Sequence, residues 1–154
     1  MFETFLGMPT HVLVIHVVVM LVPLACIVTV AVTAVARWRR RFAWWVVGLN
    51  AFALVATLVA KKSGEDFYRL LGQPAAAAEH TQLGSSMPWF VLGLLVVALL
   101  AALVRTRRDA LSTTVGLLAV AVAAASLVWV IRTGHEGTRA VWEGVVQSTQ
   151  SSGH

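Results

Sequence analysis

The chain has 154 residues, a length that suits a single domain. Apolar residues make up 58% of it and charged residues 12%, whereas typical globular proteins have about 45–50% and about 25%. So few polar side chains cannot cover a water-facing surface, and the composition therefore excludes an ordinary soluble enzyme. The net charge of +5 does not by itself indicate a nucleic-acid partner, because its meaning depends on where the arginines lie.

Four apolar segments are long enough to cross a bilayer, since a helix needs roughly 20 residues to span about 30 Å of hydrocarbon. The predicted spans run over about 10–36, 42–60, 75 or 88 to 104, and 111–131, the last extending to about 142. Long uninterrupted apolar runs are typical of helices and not of alternating barrel strands. The sequence therefore predicts one all-α domain over residues 1–154, an integral membrane four-helix bundle.

The first span is expected to remain in the membrane. The residues before it carry Glu3 and no Lys or Arg, whereas a signal peptide opens with basic residues. This span also contains Cys26, the single cysteine, so no intrachain disulfide is expected.

The segment between the second and third spans allows two predictions. Pro74 and the alanines after it favour a third helix that starts near Ala75, projects beyond the bilayer and kinks near Pro88. The alternative is a separate short helix, followed by a loop at Gly84-Ser85-Ser86.

Basic residues cluster in the first and third connectors. These two turns carry seven basic residues and one acidic residue, namely Arg37, Arg39, Arg40, Arg41, Arg105, Arg107, Arg108 and Asp109. Because short basic loops stay on the cytoplasmic side, we expect these turns on the cytoplasmic side of a plasma membrane and both termini on the outer side. Tight turns beside the membrane suit anionic lipid headgroups and argue against a nucleic-acid partner.

The histidines all lie on the predicted outer side, and three of them fall at one depth. Counted from the inner arginines at about 1.5 Å per residue, His11, His80 and His135 lie about 39, 38 and 40 Å away. His16 lies deeper, at about 32 Å. Ionisable groups in or beside a span are costly, so a shared site formed by these four histidines is a hypothesis about function.

His11 and His16 do not share one face of an ideal helix, since five residues rotate by about 140°. A π-bulge would align them. Otherwise one faces the bundle and the other a neighbour or headgroups, and the deeper His16 has the greater need of a buried partner.

Imidazoles in this number suit haem iron, copper or zinc. Four-helix bundles can hold a haem between one His from each of two helices. That ligation leaves the iron no open position and suits electron transfer. The chain has no H-E-x-x-H sequence, so zinc hydrolysis is disfavoured and no catalytic residue is predicted. Glu79 and Glu136 flank two of the histidines and are candidates for orienting them.

Three short patterns resemble a family of small four-helix bacterial membrane proteins of unknown function. Its members open with His-Pro-x-x-x-His-Phe-Pro, to which the run from His11 to His16 is similar, although Val12 replaces the first Pro and Val17-Val18 replace Phe-Pro. His80 resembles a single His near the start of helix three. Gly134-His135-Glu136-Gly137 resembles a glycine-rich ending before an aromatic residue. The resemblance implies a membrane protein with a suspected haem or redox association.

The leading interpretation is a membrane-anchored haem b protein that passes single electrons near the outer leaflet, more a carrier than an enzyme. It predicts a Soret band that is lost in His16→Ala or His80→Ala.

The alternative is a structural or assembly subunit, without a cofactor, of a respiratory or other membrane complex; the small residues of the fourth span favour it. A metal-ion transporter is disfavoured because Asn50 is the only strongly polar side chain in mid-membrane. Lipid is a partner in each case, and an oligomer is compatible with all three.

Overall fold

The computed structural model describes residues 10–151, with side chains described for all of them except 10, 12, 76, 141 and 143–151. Four helices follow one another: α1 Thr10–Ala34, α2 Ala36–Leu70, α3 Ala78–Leu103 and α4 Ala110–Ser151. No strand occurs in residues 10–151. The predicted all-α four-helix architecture is confirmed.

Each helix contains a stretch that is long and apolar enough to cross a membrane. These stretches are Leu13–Ala34, Ala36–Leu70, Ala78–Leu103 and Ala110–Ala140. The 42 residues of α4 would extend about 63 Å at 1.5 Å per residue, about twice the thickness of the hydrocarbon layer. The longer helices therefore project well beyond the hydrocarbon.

The turn between α1 and α2 is a single residue. Val35 is extended, with φ −97° and ψ 107°, and this ends α1. The backbone N–H of Arg39 already donates to the Val35 carbonyl at 2.9 Å. The prediction of a connector at 37–41 is therefore wrong: these residues form the first turns of α2, because one extended residue is enough to reverse the chain.

The turn after α2 ends the helix with left-handed backbone. Gly72 has φ +74° and Gln73 has φ +58°. Their N–H groups donate to the carbonyls of Arg69 and Tyr68, the Schellman pattern that commonly closes a helix. Helix α2 therefore ends ten residues beyond the predicted end of the second span, at about residue 60.

Helix α3 follows a short 3₁₀ turn at Ala75–Ala77 and continues through Pro88. Of the two sequence predictions, the continuous helix is therefore confirmed, and the loop at Gly84-Ser85-Ser86 is wrong. Ser85 and Ser86 are accommodated within the helix, and their hydroxyls donate to the backbone carbonyl of Gln82 in the preceding turn.

The helices form a ring in which α1 and α3 each pack against both α2 and α4. The main core cluster consists of Val18, Val22, Ala25, Cys26, Ala53, Met87, Val91, Leu94 and Ala123. Small side chains let the helices approach closely: a β-carbon on Gly93 would lie 3.2 Å from Val122. Asn50, fully buried, donates to the Thr29 hydroxyl at 2.9 Å and ties α2 to α1.

The two ends of the bundle carry different residues. The arginine end contains the turn at Val35 and the loop 104–109, and the histidine end contains the start of α1, the end of α2 and the start of α3.

Candidate histidine site

Two of the predicted histidines lie partly buried at the histidine end. His11 stands near the start of α1 and His80 near the start of α3. In the ring of helices α1 and α3 lie diagonally opposite each other, and each carries its histidine in its first turn. Each imidazole packs against the helix that follows its own in the chain: His11 against α2 and His80 against α4.

The imidazole of His11 is oriented by α2. Its Nδ1 lies 3.2 Å from the hydroxyl of Ser63. That hydroxyl already donates its hydrogen to the carbonyl of Ala60 at 3.0 Å, so it accepts the hydrogen bond and His11 Nδ1 donates. Phe67 stacks on the ring, with centroids 6.0 Å apart and planes at 25°. This arrangement places the lone pair of His11 on Nε2.

The imidazole of His80 is oriented by α4 in the same way. Its Nδ1 lies 2.9 Å from the backbone carbonyl of Thr133. A carbonyl only accepts, so Nδ1 carries the proton and Nε2 carries the lone pair. The two imidazoles therefore share one tautomer, and each keeps Nε2 available as a ligand.

Both rings occupy space that only glycine leaves open. A β-carbon on Gly64 would lie 2.9 Å from Cε1 of His11. On Gly137 it would lie 2.9 Å from both Cε1 and Nδ1 of His80. Contacts this short do not occur in real structures, so each histidine is seated against bare helix backbone.

The electrostatic environment keeps His11 neutral. This residue precedes the apolar stretch Leu13–Ala34. Burial lowers the pKa of His11 below its ordinary value of 6.5, and the nearby imidazole of His80 lowers it further. The backbone carbonyl of Ala60, which also accepts from Ser63, raises the pKa of His11 and is the smallest of the three effects. The neutral form is the one that binds a metal ion.

The structure does not bring His16 and His135 into this pair. Both are exposed, and α1 is α-helical from Thr10 to Ala34, without a π-bulge that would align His16 with His11. His135 lies two residues before Gly137, about 200° around α4 from the face that holds His80. His154 lies outside the described residues.

The glutamates do not hold the two Nδ1 atoms, which bond to Ser63 and Thr133. Glu79 is exposed. Glu136 accepts from the guanidinium of Arg139 at 3.3 Å. Among the side chains described, no three His, Cys, Asp or Glu residues lie close enough together to hold one metal ion.

Sequence reasoning missed the residues that orient the histidines, namely Ser63, Gly64, Thr133 and Gly137. Counted at about 1.5 Å per residue, Gly64 lies about 40 Å above Arg37, the depth already found for the histidines. A search for small residues at that depth would have found Ser63 and Gly64. No sequence signal marks the carbonyl of Thr133.

Comparison with known proteins gives one match. A family model described as Predicted membrane protein (DUF2231) matches residues 7–150. Neither the comparison with curated proteins nor the comparison with solved structures gave a match. The matched region includes both histidines and the residues that orient them.

Proposed function

The chain belongs to the DUF2231 family of predicted membrane proteins, and on that premise we propose that it is a haem b protein that carries single electrons at the histidine end. His11 and His80 would hold the haem iron. The rest of the bundle would anchor the site in the bilayer, which an integral membrane protein with four apolar helices contacts on all sides.

The observation that carries the proposal is the matched state of the two imidazoles. Histidines that bind a metal through one ring nitrogen almost always donate from the other to a carbonyl, a carboxylate or water. His11 donates from Nδ1 to Ser63, and His80 donates from Nδ1 to the Thr133 carbonyl. Two independent helix pairs thus present the same nitrogen, Nε2, in the same protonation state.

A pair of imidazoles fits haem iron better than a bare ion. Zinc in proteins takes four ligands, whereas a porphyrin occupies four positions of its iron and needs only two from the protein. Histidines on different helices of a four-helix bundle can supply these two. Haem held by these two residues would supply reversible one-electron chemistry.

The protein's own residues would set the geometry and the protonation of the site. Gly64 and Gly137 let the two rings lie against helix backbone. Burial holds the pKa of His11 below 6.5, which keeps the imidazole ready to bind at neutral pH. Phe67 stacks on His11 and covers one side of it with apolar surface.

The test is the absorption spectrum of protein made with a haem precursor and purified in detergent. We expect a Soret band that is lost in His11→Ala and in His80→Ala. His16→Ala and His135→Ala are the matched controls, because these exposed histidines lie on other faces of α1 and α4, and both variants should keep the band. The sequence-based prediction differs on one variant, because it expected His16→Ala to lose the band.

Loss of haem through misfolding is separated from loss of a ligand by adding imidazole. A folded His11→Ala variant leaves space for a free imidazole, which should restore part of the band. A folded wild-type protein that is colourless as purified and gives no shift of the Soret band when titrated with haem would overturn the proposal. Co-purification of a stoichiometric partner by such a colourless protein would favour the assembly subunit of a membrane complex.

A further inference from the structure

The arginine end contains a buried guanidinium without a carboxylate partner. Arg39 is only 5% exposed. Its Nη1 donates to the carbonyl of Thr33 and its Nη2 to the carbonyl of Arg107, both at 2.9 Å. These bonds join the α1–α2 turn to the loop 104–109. Backbone carbonyls carry only partial negative charge, so they do not neutralise the guanidinium.

Two polar atoms at this junction have no partner in the described part of the chain. They are Nε of Arg39 and the hydroxyl oxygen of Thr33, whose side chain is 1% exposed. Buried polar groups are nearly always hydrogen-bonded. An unpaired N–H donor and an unpaired hydroxyl at one junction therefore indicate an acceptor that comes from outside the chain. An anion with several oxygen atoms would satisfy both.

The surrounding charge favours an anion strongly. Exposed or half-exposed arginines surround the junction. The guanidinium groups of four of them form neither an ion pair nor a hydrogen bond with the described residues: Arg37, Arg40, Arg105 and Arg108. The carboxylate of Asp109 is already engaged, since it accepts from the backbone N–H of Ser112 at 3.1 Å and from Arg107 at 3.4 Å. Because Arg39 holds the two turns together, arginines from both contribute to one positive surface.

Neighbouring tryptophans place the junction at headgroup depth. Trp38, Trp44 and Trp45 are all exposed near the start of α2, Trp45 at 79%. Tryptophan prefers the boundary between hydrocarbon and headgroups. The anion with many oxygens that is concentrated at that depth is the phosphodiester of a lipid. We propose that the junction of Arg39 and Thr33 is a binding site for the phosphate of an anionic phospholipid.

The experiment measures lipid retention by native mass spectrometry. The protein is reconstituted in vesicles of phosphatidylcholine with a minor share of phosphatidylglycerol, extracted in mild detergent, and the retained lipids are counted. We expect wild-type protein to retain phosphatidylglycerol selectively. Thr33→Val and Arg39→Lys should lower its retention about three- to tenfold, the usual effect of losing one hydrogen bond or charge contact.

Thr57→Val is the matched control for Thr33→Val. Thr57 is equally buried, but its hydroxyl donates to the Leu54 carbonyl in its own helix, so its loss should not change lipid retention. Equal retention in wild type, Thr33→Val and Arg39→Lys would overturn the proposal. Displacement of the lipid by millimolar inorganic phosphate would also overturn it, because the site would then bind a free anion and not a headgroup.

Discussion

The imidazole of His80 rests directly on Gly137, with its Cε1 and Nδ1 atoms 2.9 Å from the point where a β-carbon would stand. The same ring donates a hydrogen bond to the Thr133 carbonyl one turn earlier in α4. Position and protonation of His80 therefore both depend on one face of α4. His11 has the equivalent relationship with Gly64 and Ser63 on α2, so the two helix pairs repeat one design.

Gly137→Ala should therefore displace His80 and break its bond to Thr133. A methyl group cannot coexist with the ring at its present position, since a β-carbon on Gly137 would lie 2.9 Å from two of its atoms. We expect the affinity for haem to fall about tenfold or more, since a contact that positions a ligand commonly costs 10–100-fold in affinity. The measurement is haem titration of the purified variant.

Gly134→Ala is the control for this substitution. It lies one turn away on the same helix, and a β-carbon there has nothing within 4 Å. Alanine is the better helix former by up to about 1 kcal/mol, so this variant should fold at least as well as wild type and keep full haem binding. Equal haem binding by both alanine variants would contradict the proposed role of Gly137.

The positions of the helices follow from sequence, but the faces they present do not. Apolar run length and the arginine turns located the spans and placed His11 and His80 at one depth. Rotation about each helix axis then decides which side chain points inward, and an amphipathic stripe would show this in a water-soluble bundle. Here lipid-facing and core-facing positions are both apolar, so the stripe is missing. For this reason the sequence did not show that His11, and not His16, lies against α2. Nor did it show that Gly137, and not His135, lies on the face of α4 that holds His80.

Helix ends were the other source of error. The run of arginines at 37–41 interrupts the apolar sequence and so predicts a connector, yet a single extended residue, Val35, makes the whole turn. Charged residues are good helix formers, and at headgroup depth they need not leave the helix. The same reasoning explains why α2 continues past Lys61 and Lys62, which pair with Glu65 and Asp66 one turn later.

Acidification should destabilise the protein through His11. Its pKa is about 6.5 in the unfolded chain and lower in the folded protein, so below pH 6.5 the unfolded chain binds more protons. The contribution of the neutral imidazole is complete above about pH 6.5 and is lost as the pH falls through the folded pKa. Thermal unfolding of the metal-free protein in detergent between pH 7.5 and 5.5 measures this loss.

His11→Gln removes the titrating group and should flatten the dependence, whereas His135→Gln, which removes an exposed histidine, should leave it close to wild type. An identical slope in wild type and His11→Gln would show that other groups control the acid response.

Trp129 should stabilise the α3–α4 contact below His80. Its indole N–H donates to the Leu83 carbonyl at 3.0 Å, and its ring stacks on Phe90 at a centroid distance of 4.6 Å. Trp129→Phe keeps an aromatic ring but loses the donor, and we expect the free energy of unfolding to fall by about 1 kcal/mol. Unfolding in a mixed-detergent titration measures it. Trp89→Phe is the control, because Trp89 is 72% exposed, and its effect should stay within about 0.5 kcal/mol.

The orientation of the bundle is predicted from charge and can be measured with single cysteines. Cys26 is buried, so Cys26→Ala provides a background without a reactive thiol. Thr106→Cys marks the arginine end, and Leu71→Cys marks the histidine end; both positions are exposed. Because basic loops stay in the cytoplasm, a membrane-impermeant maleimide should label Leu71→Cys in intact cells and Thr106→Cys only after permeabilisation. The reverse pattern would contradict this orientation and place the histidine pair on the cytoplasmic side.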